Sequence, residues 1–215
     1  MAARPGLGFL LIALAALSWG TTGSVMTVLA TSAAARPLVV GAVRLGVAAV
    51  LLALATRLLT GSLRVASGDG WRCLGMGACM AAYQATYFSA VTLSGIALTA
   101  LIAICSAPLL IAALATSVLG ERLSGRVRLA LGLGVVGTGL LVVAPHGVVA
   151  PSGRVVAGAL LALGAGLAYA VYVVIAKASL VRTAPLPLAS ATFVAGALLM
   201  TPVFFVEPGA WPEVA

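Results

Sequence analysis

Hydrophobic residues in this chain are gathered into seven long runs, at about 7–29, 38–58, 73–93, 96–118, 129–145, 156–177 and 187–206. Short joints carrying Gly, Pro, Ser and Arg separate them. An apolar helix of about 20 residues crosses a hydrocarbon core about 30 Å thick, so the pattern predicts an all-α polytopic membrane protein with seven spans. The first run opens as MAARPGLGFLLIALAALSWG, in the manner of a signal peptide. It continues past Trp19 to about Ala30 with six similar runs after it, and is read as a span.

Composition agrees. With 63% hydrophobic and 7% charged residues, the chain lies far from the mix of a soluble domain. The net charge of +8 is not a nucleic-acid footprint, because the arginines sit between spans. With the N-terminus in the cytoplasm, Arg4, Arg57, Arg64, Arg72, Arg122, Arg126, Arg128, Lys177 and Arg182 fall inside, and only Arg36 and Arg154 outside. That asymmetry is the positive-inside bias of an inner (cytoplasmic) membrane protein. Trp71 and Trp211 fit interfacial anchors. Cys73, Cys79 and Cys105 lie within apolar runs without metal-site spacing and are read as small buried hydrophobes.

Sliding the chain by 150 residues sets GFLLIALAALSW over GALLALGAGLAY and Pro37-Leu38 over Pro187-Leu188. Five spans per copy reverse the second copy's orientation, the inverted-repeat plan of many secondary transporters. The expected organisation is a first repeat at 1–147, with five helices, and an incomplete second at 148–215, with two.

Candidate chemistry concentrates at mid-depth. All four tyrosines lie in two spans, Tyr83 and Tyr87 at i,i+4 and Tyr169 and Tyr172 at i,i+3, so each pair shares a helix face. Tyr83 is about ten residues from either end of its span, whereas lipid-facing tyrosines belong at the interfaces. Gln84 beside it is costly to leave unpaired in hydrocarbon. A polar, aromatic cavity and interhelical hydrogen-bonded packing both account for these residues. Trp19, followed by Gly20, Thr21 and Thr22, overlies Tyr169 in the 150-residue register, as a substrate site at the repeat interface requires; a packed core tryptophan is the alternative. Arg44 is the one clearly intramembrane charge, either snorkelling to the surface or offering its fork to a carboxylate. Pro108, near Ser106, interrupts a span and is a candidate hinge or a simple packing kink.

Other motifs point to packing or to nothing. GLGVVG at 132–137 spells GxGxxG, but it lies inside an apolar run with no preceding strand. Ala130, Gly134 and Thr138, like Gly158, Ala162, Gly166 and Ala170, form small-residue ladders that let helices approach closely. No Asp or Glu falls within a span, and the lone His146 sits at a span end. These absences disfavour proton-coupled export of cations and any intramembrane hydrolase, so no enzyme, cofactor or metal is expected.

The run YQATYFSAVTLSGIALTALIAICSAPLLIAALATSVLGERLSGRVRLALGLGVVGTGLLVV, beginning at Tyr83, resembles the second half of an EamA domain, of the drug/metabolite transporter superfamily. In order come an aromatic span, a Ser94-Gly95 turn, the Ser106-Ala107-Pro108 kink, Gly120-Glu121-Arg122-Leu123 closing a span, and a glycine-rich span. Trp19-Gly20 and Arg44 fall where the family often places a WG pair and an arginine. The resemblance implies ten helices in two inverted five-helix repeats, a central cavity and alternating access. Seven of the ten would be present here, with helices eight to ten missing.

The expected function is export or exchange of a small neutral or zwitterionic solute, amino-acid-like. Trp19, Tyr83, Tyr87, Tyr169 and Tyr172 would form aromatic walls, Thr22, Gln84 and Ser106 would hydrogen-bond the solute, and Arg44 would anchor a carboxylate. The partners are the solute and the lipid bilayer, with a homo-oligomer left open. A multidrug or cation exporter, and a truncated membrane interaction module that transports nothing, are the alternatives.

Overall fold

The computed structural model describes residues 9–10, 13–14, 16–17, 36–120, 123–143 and 153–206. The chain divides into two compact units, Met1–Arg36 with Gly209–Ala215, and Pro37–Pro208. In the first unit Phe9, Leu10, Ala13, Leu14, Ala16 and Leu17 are helical. Trp19, Thr22, His146 and Trp211 lie outside the described residues.

The second unit is built of helices alone among its described residues: α1 (Pro37–Thr60), α2 (Gly70–Ser94), α3 (Ile96–Leu119), α4 (Gly125–Val143), α5 (Gly153–Ser179), α6 (Pro185–Met200) and the short α7 (Val203–Val206). Helices α1 to α6 occupy the second to seventh apolar runs. Each start and stop has a local cause. Proline opens α1 and α6, where its missing N–H would be unbonded in any case. Gly95 at φ 78° makes the one-residue joint between α2 and α3, and Gly120 at φ 67° ends α3 in the left-handed conformation. Buried Thr99 steadies the first joint, its hydroxyl 3.0 Å from that of Ser94.

Pro37–Thr60, Ile96–Val118, Gly153–Ser179 and Pro185–Phe205 are long and apolar enough to cross a membrane. At 25 residues α2 has the length as well, but Gln84, two tyrosines and several hydroxyls make it less apolar. It is also the hub, packing against α1, α3, α5 and α6, while α4 packs on α3.

Close approach depends on small residues. A Cβ added at Gly77 of α2 would lie 2.7 Å from both Ala195 Cβ and the Gly196 backbone nitrogen of α6. A Cβ at Gly158 of α5 would meet Ser94 at 2.6 Å, and one at Gly166 would meet Ser106 Oγ at 2.5 Å. Gly158, Ala162, Gly166 and Ala170 are all buried, so this ladder is the packing seam of α5. The other small-residue ladder behaves differently: Ala130 and Gly134 are exposed on α4, and a Cβ at Gly134 would meet nothing within 4 Å. GLGVVG lies in the interior of α4, with no strand before it among the described residues.

Candidate functional site

Two helices place the tyrosines. Tyr83 and Tyr87 stack on one another along α2, with ring centroids 5.6 Å apart. On α5, Tyr169 and Tyr172 lie 5.8 Å apart. The pairs meet through Tyr83 and Tyr169, at 6.0 Å and tilted by 51°, so all four rings form one connected cluster across the α2–α5 crossing. Phe88 extends it with an edge contact to Tyr87 at 5.6 Å. Tyr172, at one end, also packs on two apolar clusters, one containing Leu45, Met80 and Met200 and the other Cys73, Met76 and Leu188.

Helix α1 supplies the charge. Its approach to α2 is set by Gly41, where an added Cβ would lie 3.0 Å from the Phe88 ring and 3.3 Å from Gln84 Cβ. Nearly one turn further along α1, on the side of the helix that carries Gly41, comes Arg44, half-buried. Gln84 is 4% exposed, and its Oε1 has no hydrogen-bond partner among the described residues. A buried amide oxygen without a donor is expensive, and a donor brought by a bound solute removes that cost.

Ser106 is buried at the α3–α5 crossing, pressed against Gly166, with its hydroxyl 3.4 Å from the Ala103 carbonyl. Pro108 is exposed inside α3, and the helix runs through it, leaving the Ile104 carbonyl without its usual donor. The structure thus unites Tyr83, Tyr87, Tyr169 and Tyr172, sets Arg44 and Gln84 on adjoining faces, and engages Ser106 in a helix contact.

A second polar cluster, which the sequence reading passed over, lies at the loop end of the bundle. Asp69, the only acidic residue among those described, precedes α2 and is 0% exposed. Its carboxylate does not cap its own helix. It accepts from Thr183 Oγ1 at 2.7 Å and from Arg182, with Arg72 at 3.4 Å. The Thr183 hydroxyl in turn accepts from the Ala66 N–H at 3.2 Å. The Thr183 hydrogen bond and the Arg182 and Arg72 charges hold the Asp69 carboxyl below its ordinary pKa, against the opposing effect of burial. An Asp just before a helix marks a possible cap in sequence, but nothing local points to partners 113 and 114 residues away.

The sequence pattern of the EamA-like transporter family matches residues 6–143. A Bacillus subtilis (strain 168) protein, "Uncharacterized transporter YwfM", is 36% identical over 206 residues, which is 94% of this chain and 66% of the relative. A solved crystal structure, described only as that of a protein, shares 27% identity with a TM-score of 0.66, covering 86% of this chain and 64% of its own. The chain spans about two thirds of the length of each of these relatives.

Proposed function

The chain belongs to the EamA-like transporter family, and from that premise we propose that it moves a small amino-acid-like solute, neutral or zwitterionic, across a cytoplasmic membrane by alternating access. We read α1 to α6 as helices two to seven of an inverted-repeat bundle, with the N-terminus in the cytoplasm and the solute site near mid-depth. The observation that carries this reading is the four-tyrosine cluster at the α2–α5 crossing, with the buried, unpartnered Oε1 of Gln84 on the residue next to Tyr83.

The chemistry matches a zwitterion at both ends. Arg44 offers a planar fork to a carboxylate. The unpartnered Oε1 of Gln84 accepts from an ammonium, and tyrosine faces attract the same cation. Rings on two different helices also make the site sensitive to any movement of α2 against α5. A lipophilic cation would meet repulsion from Arg44, which favours the zwitterion over the multidrug alternative.

Counterflow in proteoliposomes tests the reading, with a panel of labelled amino acids beside a lipophilic cation. Accumulation of one zwitterionic class without the cation supports it. Accumulation of the cation alone, or of nothing, overturns it.

A further inference from the structure

We propose that Asp69, Arg182 and Thr183 form a latch that closes one end of the solute pathway and opens during each transport cycle. The inference rests on the transport reading above and adds to it the location and the parts of a gate.

The latch joins two segments distant in sequence. One is the 61–69 joint between α1 and α2, and the other the 180–184 turn between α5 and α6. In the repeat reading they belong to different repeats, so relative motion of the repeats acts directly on this contact. Three bonds cross it: Arg182 to Asp69, Thr183 Oγ1 to Asp69 Oδ2, and the Ala66 N–H to Thr183 Oγ1. A fourth lies close by, from Thr56 Oγ1 at the end of α1 to the Leu186 carbonyl at 3.3 Å. All are polar groups at a joint, where water can take their place when they part. Arg182 is already 49% exposed, so its separation from Asp69 leaves one charge in water and opens a path for water to the other.

Below the latch the same two helices touch in a way that permits pivoting. Gly77 and Gly196 bring the α2 and α6 backbones together, with only the Ala195 methyl and the tip of Leu45 beside the contact, eight residues from Asp69 on α2, or about 12 Å along the helix. Directed bonds at the end and a smooth contact beneath them are what a hinged closure requires. Ser179 supplies a reporter: it is 0% exposed at the end of α5, its hydroxyl has no partner among the described residues, and its carbonyl accepts from the N–H groups of both Arg182 and Thr183.

Two arms test the latch in a background whose three cysteines are replaced by alanine. In the first, Ser179→Cys in the detergent-solubilised protein is labelled with a water-soluble thiol reagent, alone and with Asp69→Asn or Arg182→Gln. Labelling faster by about tenfold or more is expected from either release, the shift that loss of a charge-assisted hydrogen bond produces. In the second, Ala66→Cys with Thr183→Cys is oxidised to a disulfide across the latch. Flux should stop on oxidation and return on reduction, while solute binding by the detergent-solubilised protein persists. Unchanged labelling in folded variants, or full flux through the cross-linked protein, overturns the latch and leaves the transport reading intact. Absence of flux from the parent chain defeats the transport reading and, with it, the latch that rests on it.

Discussion

The ring of Tyr83 on α2 lies 6.0 Å from that of Tyr169 on α5, and through this one contact the two tyrosine pairs become a single cluster. Its position at the crossing of the hub helix with α5 makes it the centre of the proposed site.

Flux should depend on the cluster's charge in a solute-selective way. Arg44→Gln is expected to reduce transport of carboxylate-bearing solutes by about 10–100-fold at low concentration, equivalent to about 1.5–3 kcal/mol, while sparing any solute that lacks a carboxylate. Comparing an amino acid with its amide in proteoliposomes reads this directly. Equal losses for both would remove Arg44 from carboxylate recognition.

The Gly77–Gly196 contact predicts a steric penalty. Gly77→Val should cost about 1–3 kcal/mol of stability, because even a Cβ would fall 2.7 Å from α6. Gly46→Ala, on α1 with nothing within 4 Å of an added Cβ, should be neutral or stabilising, as alanine favours helix. Thermal unfolding in detergent distinguishes the two substitutions.

A paired substitution probes the α3–α5 crossing. Gly166→Ala places a methyl 2.5 Å from Ser106 Oγ and should lower the melting temperature. Adding Ser106→Ala removes that oxygen and should restore most of the loss, leaving the Ala103 carbonyl at 3.3 Å and Leu110 Cδ1 at 3.6 Å as neighbours. Non-additivity is expected because the two groups touch.

Much of this architecture was legible in the sequence and some was not, for physical reasons. Apolar runs located α1 to α6 because a helix must be long and apolar to span. Their ends differ, as at 73–93 against Gly70–Ser94, since Gly70, Trp71 and Arg72 begin the helix before the apolar run does. The tyrosine pairing within each helix follows from i,i+3 and i,i+4 spacing, whereas the meeting of Tyr83 with Tyr169 is a contact between helices that no spacing within one helix reveals. Two small-residue ladders looked alike, yet the one on α5 is buried and the described part of the one on α4 is exposed. Spacing reveals a groove but not which helix fills it. Asp69 gives no sign of its role in the sequence, because its partners lie over a hundred residues away.

Asp69 also gives the fold a pH limit. Its carboxyl is held below its ordinary pKa, so its contribution to stability is complete above the unfolded value and disappears as pH falls through the lower folded value. Melting temperature in detergent should show no Asp69-dependent change from pH 7 down to about 4 and a loss at lower pH. Asp69→Asn should remove that part of the acid transition, and an unchanged acid limb would contradict the assignment.

The most direct test of the central claim is the aqueous reactivity of Tyr83→Cys, with the three native cysteines replaced, measured with and without the transported solute. A solute-filled site at the α2–α5 crossing predicts that a water-soluble thiol reagent reaches this cysteine and that saturating solute slows the reaction severalfold. An inert cysteine, or one labelled at the same rate whether solute is present or absent, would show that the tyrosine cluster is packed core and not the place where solute binds.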